Sequence, residues 1–203
     1  MVALSDSIFM SAEEYLIWEP TQEKRYEYWD GEIVVMSGST RNHNRVSGNF
    51  FKILDDSLAN SSCEVYIVDV KVQVELGQKY FYPDVVVTCD ERERNPQLIQ
   101  YPCLIIEVLS PSTEAADRGK KFAAYRQILT LQEYVLVQVA QPGVEVFRCN
   151  EQGKWVLSDY SLGDRLLLES LNIEIAIAQR LPPWGIADLY KQVQFEVEVT
   201  HNS

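Results

Sequence analysis

The stretch Pro102-Cys103-Leu104-Ile105-Ile106-Glu107-Val108-Leu109-Ser110 decides the fold. A continuous apolar run closed at each end by proline reads as a strand buried on both faces. Strand alternation puts Glu107 on one side with Cys103, Ile105 and Leu109. An isolated charged carboxylate there is costly, so Glu107 is expected to be protonated, paired or metal-bound.

Working outward, Ser110-Pro-Ser-Thr113 is a turn. A helix is expected from it to about Leu129, with Phe122, Tyr125, Ile128 and Leu129 as its apolar stripe. Glu133 to Val139 is again an apolar strand, and strand–helix–strand predicts two parallel neighbours. Upstream, Glu64 to Glu75 alternates as one strand, with Asp69 and Lys71 on its polar face, read as pairing with each other. Tyr80 to Thr88 is the next strand. Pro83 cannot donate a ladder hydrogen bond and marks an edge, a strand start or a bulge just before Asp84.

Nearer the start, Ser11-Ala-Glu-Glu14 is a capping box for a short helix that Glu19-Pro20-Thr21 ends. Asp30-Gly31 signals a tight hairpin between two β-rich runs. Val46, Phe50, Ile53, Leu54 and Leu58 have helical spacing, which predicts an amphipathic helix from Arg41 to Leu58. His43 is read chiefly as a residue of its first turn. After residue 140 come hairpin strands at Val144–Arg148, Trp155–Tyr160, Leu166–Leu168 and Ile173–Ile177, then a short helix around Ile186–Tyr190. The sum is α/β: a mixed central β-sheet flanked by helices, with a hairpin-rich C-terminal extension. One domain is expected over 1–203, with a core of about 11–140, the extension at 141–180 and a tail at 181–203.

The 203 residues, 46% hydrophobic and 24% charged, suit one globular core. No apolar run is long enough to span a membrane and no basic leader opens the chain, so a cytoplasmic protein without a membrane partner is expected. The cysteines at 63, 89, 103 and 149 form no C-x-x-C pair and are read as free thiols. A net charge of −12 requires any nucleic-acid role to rest on a local positive patch, a cation or a partner subunit.

Asp84 and Glu107 lie on consecutive strands. If these are adjacent, the carboxylates converge on one cation, with oxygen ligands suited to Mg²⁺ (or Mn²⁺). Such an ion activates water and neutralises charge developing on a phosphate.

These residues resemble the PD-(D/E)XK nuclease core, and more closely its Uma-type restriction endonuclease family. Tyr26-Glu27, Asp30-Gly31-Glu32, Met36-Ser37, Asn42-His43, Pro83-Asp84-Val85, Glu107-Val108-Leu109-Ser110-Pro111-Ser112-Thr113, Asp117, Lys121, Tyr125 and Glu133-Tyr134 occur in the family's order. The resemblance implies a restriction-endonuclease-like fold and Mg-dependent hydrolysis of DNA. It further implies Asp84, Glu107 and the Val108 carbonyl as metal ligands, Glu27 as an additional acidic residue, and a homodimer. It departs from E-X-K at Leu109, where the strand lysine belongs, and so implies a lysine migrated to the following helix, Lys121. Helical spacing agrees, since Asp117, Lys121, Tyr125 and Ile128 share a stripe while Lys120 lies about 100° away.

Each residue also has a plainer reading. Glu107 and Lys121 form a structural pair, Asp84 accepts strand-start hydrogen bonds, and Glu27 satisfies the hairpin or pairs with Arg25. Arg118, Lys120, Lys121 and Arg126 form either a phosphate-facing patch or a solvated helix face. The alternative function is therefore a catalytically silent nuclease fold that serves as a binding, regulatory or dimerisation module.

Overall fold

A computed structural model of the chain describes residues 9–36, 38–139 and 142–177. The expected tail and its short helix lie outside them.

In chain order the elements begin with α1 (Ala12–Trp18), β1 (Tyr26–Trp29), β2 (Glu32–Val35) and α2 (Arg41–Leu58). Then come β3 (Glu64–Ile67), β4 (Lys71–Val74), β5 (Lys79–Phe81), β6 (Val85–Thr88), β7 (Leu98–Ile99) and β8 (Pro102–Val108). The next segment is helical: α3 (Glu114–Ala116), a π turn (Asp117–Lys121) and α4 (Phe122–Tyr125). Strands β9 (Glu133–Gln138), β10 (Gly143–Cys149), β11 (Trp155–Ser161), β12 (Arg165–Leu168) and β13 (Ile173–Ala176) complete it.

The expected central sheet is divided. One sheet has the order β2-β1-β5-β4-β7, a second β11-β10-β9-β8-β6-β3, and β12 pairs with β13 alone. The division falls inside two segments expected to be single strands. Val68 and Asp69 both take positive φ, 49° and 51°, so the Glu64–Glu75 run turns a corner and passes from one sheet to the other. On the facing segment, Pro83 and Asp84 break Tyr80–Thr88 at the same corner, where the Val68 N–H donates to the Asp84 carbonyl at 3.1 Å. Alternation carried through the corner because a bend of two residues leaves the period of the pattern intact.

Strand β8 is the axis of the larger sheet. It lies antiparallel to β6, with Val85 opposite Ile106, and parallel to β9, with Glu107 opposite Leu136. All seven of its residues are buried, as its composition requires. One detail differs from plain alternation. Pro102 opposes Thr88 and Leu104 opposes Val87, so Cys103 is the extra residue of a β-bulge. Its side chain joins the core with Leu104, Ile106 and Val108, not the Ile105–Leu109 side.

Helix α2 and the β12–β13 hairpin cover one face of this sheet through Phe50, Leu54, Leu166 and Leu168. The other face packs Ile105, Leu109 and Leu136 against Tyr125 and the smaller sheet's Phe81. Glu133 fastens the C-terminal hairpin to the core: it accepts from Arg148 Nε at 2.7 Å and from the backbone N–H groups of Glu169 and Ser170.

The helix after β8 is shorter than expected. It ends at Tyr125, and Leu129 is 101% exposed instead of completing the stripe. The cysteine expectation is also corrected, because Cys63 and Cys89 form a disulfide. They follow directly from the β3–β6 register, in which Glu64 opposes Thr88, and their separation of 26 residues concealed the pairing. Cys103 and Cys149 are free.

Candidate active site

Four elements bring polar side chains to the end of β8. From β8 itself comes Glu107, only 3% exposed although charged in type. Lys121, 6% exposed, comes from the π turn, its Nζ 3.1 Å from Glu107 Oε1 and 2.9 Å from Glu27 Oε1 of β1. Asp117, one turn earlier, lies 3.4 Å from the same ammonium. A π turn widens the helix by one residue per turn and occurs often at functional sites. Asp117 and Lys121, four residues apart and both buried, share one face of it. The Tyr134 hydroxyl holds the turn by donating to the Asp117 carbonyl at 2.9 Å.

Asp84 stands at the corner between the sheets. Its Oδ2 accepts from the Val108 N–H at 2.7 Å and lies 3.3 Å from His43 Nε2 on α2. Two further groups steady the acids. The Tyr125 hydroxyl donates to Glu107 Oε1 at 3.2 Å, and the Tyr82 N–H donates to Glu27 Oε1 at 3.3 Å.

The electrostatics are lopsided: Glu27, Glu107 and Asp117 gather around one ammonium, while Asp84 pairs with His43. Burial pushes the Glu107 carboxyl well above the usual range. Lys121 opposes this, while Asp117, Asp84 and Glu27 add to it. Asp117 is raised too, by burial first and against the pull of Lys121. Lys121 is held well above the ordinary lysine value: burial works against its charge, but Glu107, Glu27 and Asp117 outweigh it. His43 behaves similarly. Burial disfavours its charge, yet the hydrogen bond and charge of Asp84, then the Val108 backbone, raise it.

The sequence-derived set of Glu27, Asp84, Glu107 and Lys121 thus occupies one place, with the Val108 backbone beside it. Lys120 is exposed and turned away. Glu27 pairs with Lys121 and not with Arg25. The helix cations do not make a common patch: Arg118 is tied to Glu114 and Glu145, Lys121 is buried, and Arg126 lies over the Phe122 ring. Asp69 and Lys71 do not pair with each other, for Asp69 meets Arg25 and Lys71 meets Glu19. Sequence reasoning missed His43 as a partner of Asp84. Its signal was the Asn42-His43 motif at a helix start, read there as a cap-region residue.

Among the described residues, no three carboxylate, imidazole or thiol groups converge as a ready-made metal cage. The donors nevertheless fit a hard divalent ion. Mg²⁺ is commonly held by one or two carboxylates, with water and substrate oxygens completing its shell. The surplus of carboxylates over cations around Lys121 also favours an added cation.

The fold is mixed α/β. The chain belongs to the Uma2 family, described as "Putative restriction endonuclease", whose model matches residues 12–179. It is similar to two proteins of Synechocystis sp. (strain ATCC 27184 / PCC 6803 / Kazusa). "Uncharacterized protein slr1290" is 42% identical over 169 residues, covering 83% of this chain and 89% of that one. "Uncharacterized protein sll1609" is 31% identical over 162 residues, covering 78% and 92%. In fold it matches a crystal structure from Anabaena variabilis ATCC 29413, described as "a putative nuclease belonging to DUF820". That match has a TM-score of 0.69 at 16% identity and covers 89% of this chain and 97% of the other.

Proposed function

We propose that the protein is a metal-dependent endonuclease that hydrolyses DNA phosphodiester bonds. The observation that carries this reading is the meeting of Lys121 with Glu107 and Glu27, beside Asp84, at the end of a buried strand.

Asp84, Glu107 and the Val108 carbonyl would hold Mg²⁺ or Mn²⁺. A bound divalent ion supplies Lewis acidity toward the phosphate and lowers the pKa of water. The chain's own groups do the rest. Lys121, kept charged by its acidic neighbours, presents N–H donors to the attacking water or to the oxygens of the phosphorus centre, where charge builds up. Glu27 fixes the ammonium, and the Tyr82 N–H fixes Glu27. Tyr125 orients Glu107. His43 lies against Asp84, and exposed Arg41 and Arg45 place positive charge beside it on α2. That local charge answers the difficulty an acidic chain has in approaching DNA. Cutting both strands calls for two such centres, so a homodimer is part of the proposal.

The test is nicking of supercoiled plasmid in Mg²⁺ or Mn²⁺ against EDTA, with wild type and Asp84→Ala prepared identically. Divalent-dependent nicking that disappears in Asp84→Ala supports the proposal. Nicking that persists in the variant, or a silent wild type, overturns it and favours the non-catalytic module.

A further inference from the structure

A second polar feature lies outside the Lys121 cluster and has no part in its chemistry. Glu19 and Lys71 are only 1% and 7% exposed, yet they meet at 2.8 Å beside an open cleft of about 330 Å³. Arg25, Tyr66, Asp69 and Tyr82 also line that cleft. Lys71 Nζ sits over the rings of Tyr15 and Tyr82, at 5.3 and 5.8 Å.

The two oxygens of Glu19 are bonded unequally. Its Oε2 accepts from Lys71, whereas Oε1 is buried with no hydrogen bond, and Arg25 Nη1 approaches it no closer than 3.9 Å. Leaving a buried carboxylate oxygen without a donor is costly, and such an oxygen on a cleft wall is a natural acceptor for a ligand. The Tyr82 phenol is pushed well up by burial and then by its hydrogen bond to the Glu19 carboxylate, so it stays protonated.

The chemistry of the cleft selects its ligand. Lys71 and Arg25 balance Glu19 and Asp69, so the formal charge cancels and a neutral ligand is favoured over an ion. Tyr66, partly exposed on the cleft wall, offers a face on which a planar ring stacks. A buried acceptor beside a buried donor matches the edge of a heterocycle that carries N–H and ring nitrogen or carbonyl side by side. The volume lies at the small end of ligand sites, roughly 300–1,000 Å³, which suits one nucleoside and excludes a duplex.

Position supports the same ligand. Tyr82 belongs to both places, its N–H on Glu27 and its ring in the cleft. Arg25 precedes Glu27 by two residues, roughly 7 Å of extended chain. We infer that this cleft receives a single unpaired nucleobase of the DNA substrate, with Glu19 Oε1 accepting a base N–H and Tyr66 supplying stacking. The inference rests on the nuclease reading for its source of nucleobase, and it makes single-stranded or locally unpaired DNA the preferred substrate.

The test is a titration of ¹⁵N-labelled full-length protein with deoxycytidine or deoxyadenosine in EDTA, followed by amide shifts, with deoxyribose as control. Expected are saturable shifts at Tyr66, Lys71, Tyr82 and residues 95–99, absent with deoxyribose. Glu19→Gln should weaken binding about tenfold or more, since it removes a hydrogen bond to a charged acceptor. Where Glu19→Gln does not fold because Lys71 is left unpaired, Tyr66→Leu removes a stacking face and should weaken binding comparably. No saturable shifts, shifts confined to His43 and Glu107, or affinity unchanged in the folded variants would overturn the inference. Because divalent ion is absent, the two proposals fail separately. Nucleoside binding without metal-dependent cleavage overturns the nuclease reading alone, and cleavage without nucleoside binding overturns the base site alone.

Discussion

Lys121 reaches Glu107 across 3.1 Å from a π turn, although the strand position two residues after Glu107 is taken by Leu109. The ammonium is therefore supplied by a helix, while Leu109 is free to pack with Ile105 and Tyr125. Breaking such a buried pair strands several carboxylates. Lys121→Gln should lower stability by about 3–5 kcal/mol at pH 8, read from urea unfolding. The deficit should shrink at pH 5, because Glu107 and Asp117 then take up protons in place of the lysine. A deficit that does not depend on pH would argue against coupling between these groups.

His43 gives a pH dependence of defined sign. Its folded pKa is raised above the ordinary value of about 6.5. The native state therefore binds the proton more tightly than the unfolded chain does. This contribution is fully present below about pH 6.5 and is lost as pH rises through the folded value. Glu107, also raised, acts in the same direction from the ordinary carboxylate range upward. Stability should fall from pH 6 to pH 8.5, and His43→Asn should flatten the curve. A wild type that gains stability over that range would contradict the assignment.

Divalent binding should appear as stabilisation even without DNA. At ~100-fold excess over Kd, a ligand specific for the native state adds about 2.7 kcal/mol. Mn²⁺ should raise the melting temperature of wild type and leave Asp84→Ala and Glu107→Gln unmoved. Equal shifts in all three would place the ion elsewhere.

The Cys63–Cys89 bridge closes a 26-residue separation that includes the corner carrying Asp84. Chain-entropy reasoning assigns such a loop about 3.5 kcal/mol. Dithiothreitol should cost wild type roughly that much in urea unfolding, while Cys63→Ser should begin lower and ignore the reductant. If reductant leaves wild type unchanged, the bridge contributes nothing to stability.

Much of this was legible in the chain. Periodicity located α2 to the residue, and Asp30-Gly31 gave a turn with positive φ at both positions, 49° and 103°. The apolar run around Glu107 gave β8 and its parallel partner β9. What escaped were events that leave a pattern's period undisturbed. The corner at Val68-Asp69 divides an alternating run between two sheets, and the bulge at Cys103 exchanges faces for one residue. Contacts between distant segments escaped as well. Nothing local told that Lys71 would choose Glu19 over Asp69, or that His43 would reach Asp84. Glu107 drew attention because a charged group in an apolar run demands a partner, whereas Glu27 and Lys121 came from the family resemblance, with helical spacing in agreement for Lys121.

The central claim is that Lys121, carried by the helix, serves the Asp84–Glu107 centre. Its most direct test is the plasmid-nicking rate in Mn²⁺ of wild type, Lys121→Gln and Lys120→Gln, each confirmed as folded. The account predicts a loss of about 100-fold or more for Lys121→Gln, with a rate near wild type for Lys120→Gln. Undiminished nicking by Lys121→Gln, or a loss confined to Lys120→Gln, would contradict it.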